Sequence, residues 1–353
     1  MELKVSMNDQ AGAGASAGGG SVAHHHGATY AALDLGTNNC RLLVARPARE
    51  GFRIVDAFSR IVRLGEGLSQ SGRLGAPAMA RTFEALEICR DKMEQRGVTR
   101  ARLIATEACR VAENGAQFVA RARDRLGLSL EIVDRETEAR LAAAGCASLA
   151  DPLAEGVVLF DIGGGSSEIV WLARDAPRGG SPDVGDRVRA WASLRLGVVT
   201  IAEGFGGFDV SAETYEKMVA HVAEQLKPFV ERAGAATRCE GFHLLGTSGT
   251  VTTIAGVHLG LQRYDRRRVD GLWMTDDEVS KAIDGLRAMT YAERAANGCI
   301  GSERADLVLA GCAIFDAIRR AFPAERVRIA DRGLREGILM QMMSADGVWR
   351  GAP

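Results

Sequence analysis

The chain has 353 residues, 46% apolar and 25% charged, with a formal net charge of −1. That is the balance of a soluble globular protein long enough for two ordinary domains, and its near-neutrality argues against a nucleic-acid coat. No apolar run approaches the ~20 residues that span a bilayer, and the N-terminus lacks the basic-then-apolar layout of a secretory leader. A cytoplasmic location, with neither membrane nor nucleic acid as partner, is the expectation.

Cys40, Cys89, Cys109, Cys146, Cys239, Cys299 and Cys312 are scattered, without a C-x-x-C pair. This argues against a zinc site or disulfide framework and for reduced thiols. Nearly all the positive charge is Arg, whose planar fork suits phosphate oxygens, although a compositional bias explains the excess equally well.

Residues 1–28, with AGAGASAGGG and His24 to His26, read as a disordered low-complexity tail. From Tyr30, YAALDLGTNNCRLLVARP reads as strand, tight polar turn and strand, with another strand over 52–64. Met79, Phe83, Leu86, Ile88 and Met93 recur near helical spacing, predicting a helix from Pro77 to Gln95. ARLIAT (101–106) is a strand, Ala116 to Leu126 a helix, LEIVD (130–134) a strand, and Glu136 to Leu149 a helix. VVLFDIGGGSSEIVW (157–171) follows, then a turn over 174–187 and a strand over 188–197. Helices are expected near 212–232, 276–288 and 303–322, strands at 241–246 and 326–333, and a closing helix to about Met343. Alternating strands and helices make the class α/β.

A repeat organises this order. LDLGTNNCRLLVAR (33–46) and FDIGGGSSEIVWLAR (160–174) share the pattern apolar, Asp, apolar, Gly, small polar turn, apolar run, Arg. Two similar lobes, each opening with a hairpin whose turn carries an Asp, imply a pseudo-twofold pair around a cleft. The residues after both turns read as strands, unlike the strand–turn–helix of a dinucleotide fold, and no P-loop sequence occurs. A glycine hairpin can still converge its N–H groups on an anion. Asp161 and Glu168 beside such amides make sense if a divalent cation separates the charges. The plain alternative is a hairpin with solvated acids. A third turn, LLGTSGTVTTIAG (244–256), runs from strand into helix, so Gly246, Thr247, Ser248, Gly249 and Thr250 are candidates for another phosphate contact.

With ATEACRVAENG, RETEARLAAAG, RYDRRRVDG and DRGLREGIL, these segments resemble the exopolyphosphatase/guanosine pentaphosphate phosphatase (Ppx/GppA) family, from about Tyr30 to Met343. The resemblance implies two ribonuclease H-like, actin-like ATPase lobes with an interlobe cleft: lobe I over 29–139, lobe II over 140–330, and a closing helix and tail over 331–353 that packs back on lobe I. It places the catalytic base on Glu138. Metal-organising acids fall on Asp161 and Glu168, with Asp34 in support. Phosphate contacts fall on Gly36, Thr37 and Asn38, on Gly163, Gly164, Gly165 and Ser166, and on Arg110 and Asn114.

Read alone, Glu138 is an acid in a helical first turn, Arg110 a surface residue, and Asn114 a cap. Arg266 to Arg268 read as a solvated charge run, or in a phosphate cleft as holders of a polyanion tail, with Arg268 a candidate contact. Relatives often carry an Arg where LGVVTIAEGF has Val199 and Thr200, which puts that contact in doubt here.

The implied activity is Mg2+-dependent (or other divalent-cation-dependent) hydrolysis of the terminal phosphoanhydride of inorganic polyphosphate, with K+ as an optional monovalent partner. Guanosine pentaphosphate is the rival substrate. A sugar kinase or ATPase, and a non-catalytic (p)ppGpp-binding regulator, are the other readings. A homodimer is the expected oligomer.

Overall fold

The computed structural model describes residues 27–49, 51–174 and 184–349. Most of the tail expected over 1–28 lies outside those residues, and so does most of the turn expected over 174–187.

Two sheets carry the fold. The first joins β1 (Tyr30–Leu35), β2 (Asn39–Pro47), β3 (Phe52–Ile61), β4 (Arg100–Ala105) and β5 (Leu130–Ile132) in the order β3-β2-β1-β4-β5. The second joins β6 (Gly156–Ile162), β7 (Ser167–Ala173), β8 (Val188–Leu194), β9 (His243–Thr247), β10 (Trp273–Thr275) and β11 (Arg326–Ala330) in the order β10-β11-β9-β6-β7-β8. In each, three consecutive strands form an antiparallel meander, and the first of them takes a parallel neighbour on its other side, β4 on β1 and β9 on β6. A second parallel strand extends each sheet, β5 on β4 and β11 on β9. Without the short edge strand β10 the two orders are the same. This is the two-lobed α/β architecture of the ribonuclease H-like, actin-like class.

Parallel strands need crossovers, and helices supply them. In lobe I these are α1 (Leu68–Ser71), α2 (Ala76–Gln95), α3 (Glu107–Val111) and α4 (Gly115–Leu126). Helix α5 (Arg135–Cys146) leads into lobe II. There α6 (Val184–Arg187) precedes β8, and α7 (Val198–Phe205) and α8 (Ala212–Ala233) follow it. Between β9 and β11 lie α9 (Gly249–His258), α10 (Arg266–Val269), α11 (Asp276–Ala288), α12 (Tyr291–Ala296) and α13 (Val308–Ala321), and α14 (Leu334–Ala345) closes the chain. Helix α13 begins later than the expected 303, because residues 302–307 are turns in which Leu307 N–H donates to Arg304 O.

Each lobe buries one sheet face under its crossover helices. Phe83 of α2 meets Phe118 of α4 with ring centroids 5.0 Å apart, and Phe160 of β6 meets Phe315 of α13 at the same distance. The other two faces share α5 and α14. Leu141, Ile338, Leu339 and Met343 pack with Tyr30, Ala32, Leu43 and Ile104, while Ala139, Ala143 and Cys146 pack with Val157, Leu159 and Leu245. Helices α5 and α14 touch backbone to backbone: a Cβ on Gly145 would overlap Gly333 O, and one on Gly337 would overlap Leu141 O. Asp346 then ties the end of α14 to lobe I, accepting from Tyr30 Oη and Arg100 Nη2 at 2.8 Å each.

A clasp joins the lobes along one rim. Arg63, with φ of 47°, gives a two-pronged pair to Asp306 at 2.9 and 3.0 Å. Glu203 of α7 accepts from Gly67 N–H at 2.9 Å and Ser69 Oγ at 2.5 Å. The left-handed backbone at Arg63 costs of order 1–3 kcal/mol and persists because the loop around it is held at several points.

Candidate active site

The two hairpin tips meet. Gly36 N–H donates to Asn39 O at 2.9 Å and Gly163 N–H to Ser166 O at 3.0 Å, closing the two turns alike. A Cβ on Gly164 would stand 3.0 Å from Asn38 N and 3.1 Å from the Cβ of Thr37, and one on Gly165 would stand 2.6 Å from Thr37 Oγ1. The tips are therefore in contact, and a larger side chain would part them.

Strand register fixes the acids beside the tips. Asp161 stands directly opposite Glu168 across β6 and β7, a like-charge pair that is unfavourable in isolation. In the first hairpin Asp34 stands opposite Arg41, so the repeat swaps a carboxylate for a guanidinium at this position. The cleft at the junction is lined by Asp34, Gly36, Thr37, Asn38, Glu138, Asp161, Gly163, Gly164, Gly165, Ser166, Glu168, Ser248, Gly249 and Thr250, all expected, together with Arg41, Thr106 and Arg304. Asp134 brings Glu138 there by capping α5, accepting from Thr137 N–H at 2.7 Å.

Burial dominates the electrostatics. It raises the Glu138 carboxyl to about 7, against the lowering influence of Arg110, whose Nη2 donates to Glu138 Oε2 at 2.9 Å. Burial also raises Asp161 to about 6, and pushes Asp34 up and Glu168 well up. Glu138 and Asp161 add to the rise at Glu168, and Ser193 Oγ opposes it by donating at 2.8 Å. Four carboxylates that resist ionisation around one space are the environment a cation would relieve. Among the described residues no three His, Cys, Asp or Glu side chains are grouped closely enough to ligate one ion. Asp161 and Glu168, opposed across the hairpin, could hold an ion through one or two carboxylates and its own waters, the usual habit of Mg2+.

The third turn is built differently from expectation. Ser248, with φ of 135°, caps α9 by accepting from Thr250 N–H and Val251 N–H at 3.1 and 3.2 Å. Those two amides are thereby occupied, and Gly249 is the open position. The guanidiniums of Arg41 and Arg304 both lie 3.8 Å from where a Gly249 Cβ would be. Burial, then Arg41, lowers the pKa of Arg304.

Several expected contacts fall elsewhere. Asn114 is spent on Leu74, accepting its N–H at 2.8 Å and donating to its O at 3.1 Å, so it braces a loop rather than lining the cleft. Gly246 lies in β9, where a Cβ would press within 2.6 Å of the Phe160 ring; its role is packing. Arg268 is exposed on α10, while its neighbour Arg266 turns inward to Asp331 O and Glu336. Thr247 lines an adjoining pocket that shares Asp34, Arg41 and Asp161 with the cleft, and donates to Arg332 O at 2.7 Å. Arg110 stands behind Glu138, its guanidinium engaged by Glu107, Glu138 and Val133 O. Val199 and Thr200, where relatives often have Arg, serve internal bonds: Val199 N–H to Gly164 O, and Thr200 Oγ1 with Gly197.

The description "Ppx/GppA phosphatase family" matches residues 43–346. The chain belongs to this family. It is similar to the Aquifex aeolicus family member at 26% identity, with 90% of this chain and 98% of that chain covered and a TM-score of 0.72. An exopolyphosphatase-like protein is matched at 26% identity over 90% of this chain and 99% of its own, with a TM-score of 0.78. An exopolyphosphatase from Cytophaga hutchinsonii shares the fold, at 21% identity and a TM-score of 0.80 over 91% of this chain and 100% of that one. Among the described residues no helix is long and apolar enough to cross a membrane.

Proposed function

We propose that this phosphatase-family chain is an exopolyphosphatase, hydrolysing the terminal phosphoanhydride of inorganic polyphosphate to orthophosphate. The observation that carries the reading is the meeting of the two tips, Thr37–Asn38 against Gly164–Gly165, beside the buried Glu138. The terminal phosphoryl group is held at the tips by backbone amides, and the next phosphates lie along Arg41, Arg304 and Gly249. Among the described residues neither guanidinium has a carboxylate within ion-pair distance, which suits a polyanion.

Glu138 orients a water in line with the leaving oxygen and takes its proton. Its pKa, raised to about 7 by burial, makes it a stronger base than an ordinary carboxylate near neutral pH. Asp161 and Glu168 would hold the divalent cation, largely through its waters and with the charge of Asp34 in the same cleft, and the ion would supply neutralising charge for the phosphate oxygens. Ser193 fixes one oxygen of Glu168 in place for that duty.

A second reading is favoured by one feature. Ile162, Val198, Ile300, Leu307 and Val308 give the cleft an apolar wall that an inorganic chain does not use. Guanosine pentaphosphate offers the same terminal anhydride with a nucleoside that such a wall could bury. Orthophosphate release from long polyphosphate, short polyphosphate and guanosine pentaphosphate, each with and without Mg2+, separates the two. Faster turnover of polyphosphate is the expected result; turnover of the nucleotide alone selects the second reading, and release from neither defeats both.

A further inference from the structure

We infer that Glu107 is a positioning residue: through Arg110 it fixes the direction of the Glu138 carboxylate. The inference rests on the reading of Glu138 as the base. Glu107 opens α3 immediately after Thr106, which lines the cleft, and is itself 6% exposed. Its carboxylate holds two guanidiniums. Arg110 donates from Nε at 3.0 Å and Nη2 at 2.6 Å to Oε2, and Arg135 Nη2 donates to Oε1 at 2.7 Å and Oε2 at 3.0 Å. Arg110 then spends Nη1 on Val133 O at 2.6 Å and reaches Glu138 Oε2 through Nη2 at 2.9 Å.

The side chains alternate in sign, Arg135, Glu107, Arg110, Glu138, and the series ends at the cleft. Because a guanidinium is a rigid planar fork, one anchor on its Nε–Nη2 edge and another on Nη1 fix where its remaining donors point. Glu107 and Val133 O supply those anchors. Arg110 is left with one nitrogen for Glu138, so a single carboxylate oxygen is tied. Glu138 Oε1 has no hydrogen-bond partner among the described residues. One oxygen is anchored and the other remains available to accept a proton.

Without the charge on Glu107, Arg110 keeps one counter-charge and closes on it. Both oxygens of Glu138 are then engaged by the fork, and the base is withheld. A purely structural ion pair predicts something else: lower stability, with unchanged kinetics in the molecules that stay folded.

The test uses Glu107→Gln and Glu107→Asp in the full chain. Orthophosphate release from polyphosphate under Mg2+ gives kcat and KM, and the Arg110 Nε–H resonance, assigned by its loss in Arg110→Lys, is recorded without substrate. Gln is expected to lower kcat at least tenfold with KM within threefold of wild type, and to shift the Arg110 resonance. Asp, which keeps the charge, should recover at least a third of the lost rate. Wild-type kcat in the Gln chain overturns the inference, as does equal loss in both variants tracking their melting temperatures. If the Gln chain does not fold, the Asp chain decides by the same kcat-against-KM split. A wild type that releases no phosphate defeats the proposed function itself, whereas an unmoved Arg110 resonance in Glu107→Gln breaks the Glu107–Arg110 link whatever the enzyme does.

Discussion

Gly164→Ala tests whether the tips meet. The added methyl would stand 3.0 Å from Asn38 N and 3.1 Å from the Cβ atoms of Thr37 and Asn38. Carbon contacts are most favourable at about 3.5–4.0 Å, so the tips must part by roughly half an ångström. Gly164 is not in the left-handed region, so backbone conformation adds nothing to the effect. Overpacking of this kind costs about 1–3 kcal/mol. A displacement of ~1 Å at a reacting centre costs on the order of 10²-fold in rate, so half that displacement suggests a loss of about tenfold in kcat/KM. Gly204→Ala is the control, since nothing lies within 4 Å of a Cβ there. In α7 that change should stabilise by roughly 0.5–1 kcal/mol and leave activity alone. Orthophosphate release and thermal melting on both chains decide the matter. Wild-type kcat/KM in Gly164→Ala would show that the tips do not abut.

The pH dependence of stability follows from the buried acids. Glu138 and Asp161, raised to about 7 and about 6, hold protons in the folded chain that the unfolded chain has already lost. Their contribution is present in full below the ordinary carboxylate range and is lost as pH rises through about 6 and 7. Melting temperature in cation-free buffer should therefore fall between pH 5 and pH 8, and Mg2+ should restore part of the loss at pH 8; a flat profile contradicts this. Gly337→Ala places a methyl on Leu141 O and should cost roughly 2 kcal/mol or more by spreading α5 from α14, read as a lower midpoint in urea. An unchanged midpoint would mean that the two helices are not in backbone contact.

Much of the fold was legible because the hairpins announce themselves: an apolar run, an Asp, a glycine-rich turn and a second apolar run, given twice. Asp34, Asp161, Glu168 and Glu138 reach one cleft as that pattern and the family resemblance imply. Arg41 was available and was missed. DLGTNNCR and DIGGGSSE have equal spacing, so the position matching Glu168 is Arg41, and only strand register gives that match physical meaning. Arg304 was hidden by extending a helix over residues that form turns. Asn114 and Arg268 could not be placed from type alone. An amide serves a loop as readily as a phosphate, and in a run of three arginines the helical turn decides which one faces inward. Glu107 carried no signal, since its pair with Arg110 three residues on reads as an ordinary helical one, and Arg135 and Glu138, which give the pair its meaning, come from α5.

The most direct measurement of the central claim is single-turnover phosphate release by Glu138→Gln at saturating Mg2+, beside its melting curve. The account predicts a rate lower by ~10²–10⁴-fold, the usual worth of a positioned base, in a chain that melts no earlier than wild type, because a neutral amide suits the buried site. A rate within threefold of wild type would contradict it.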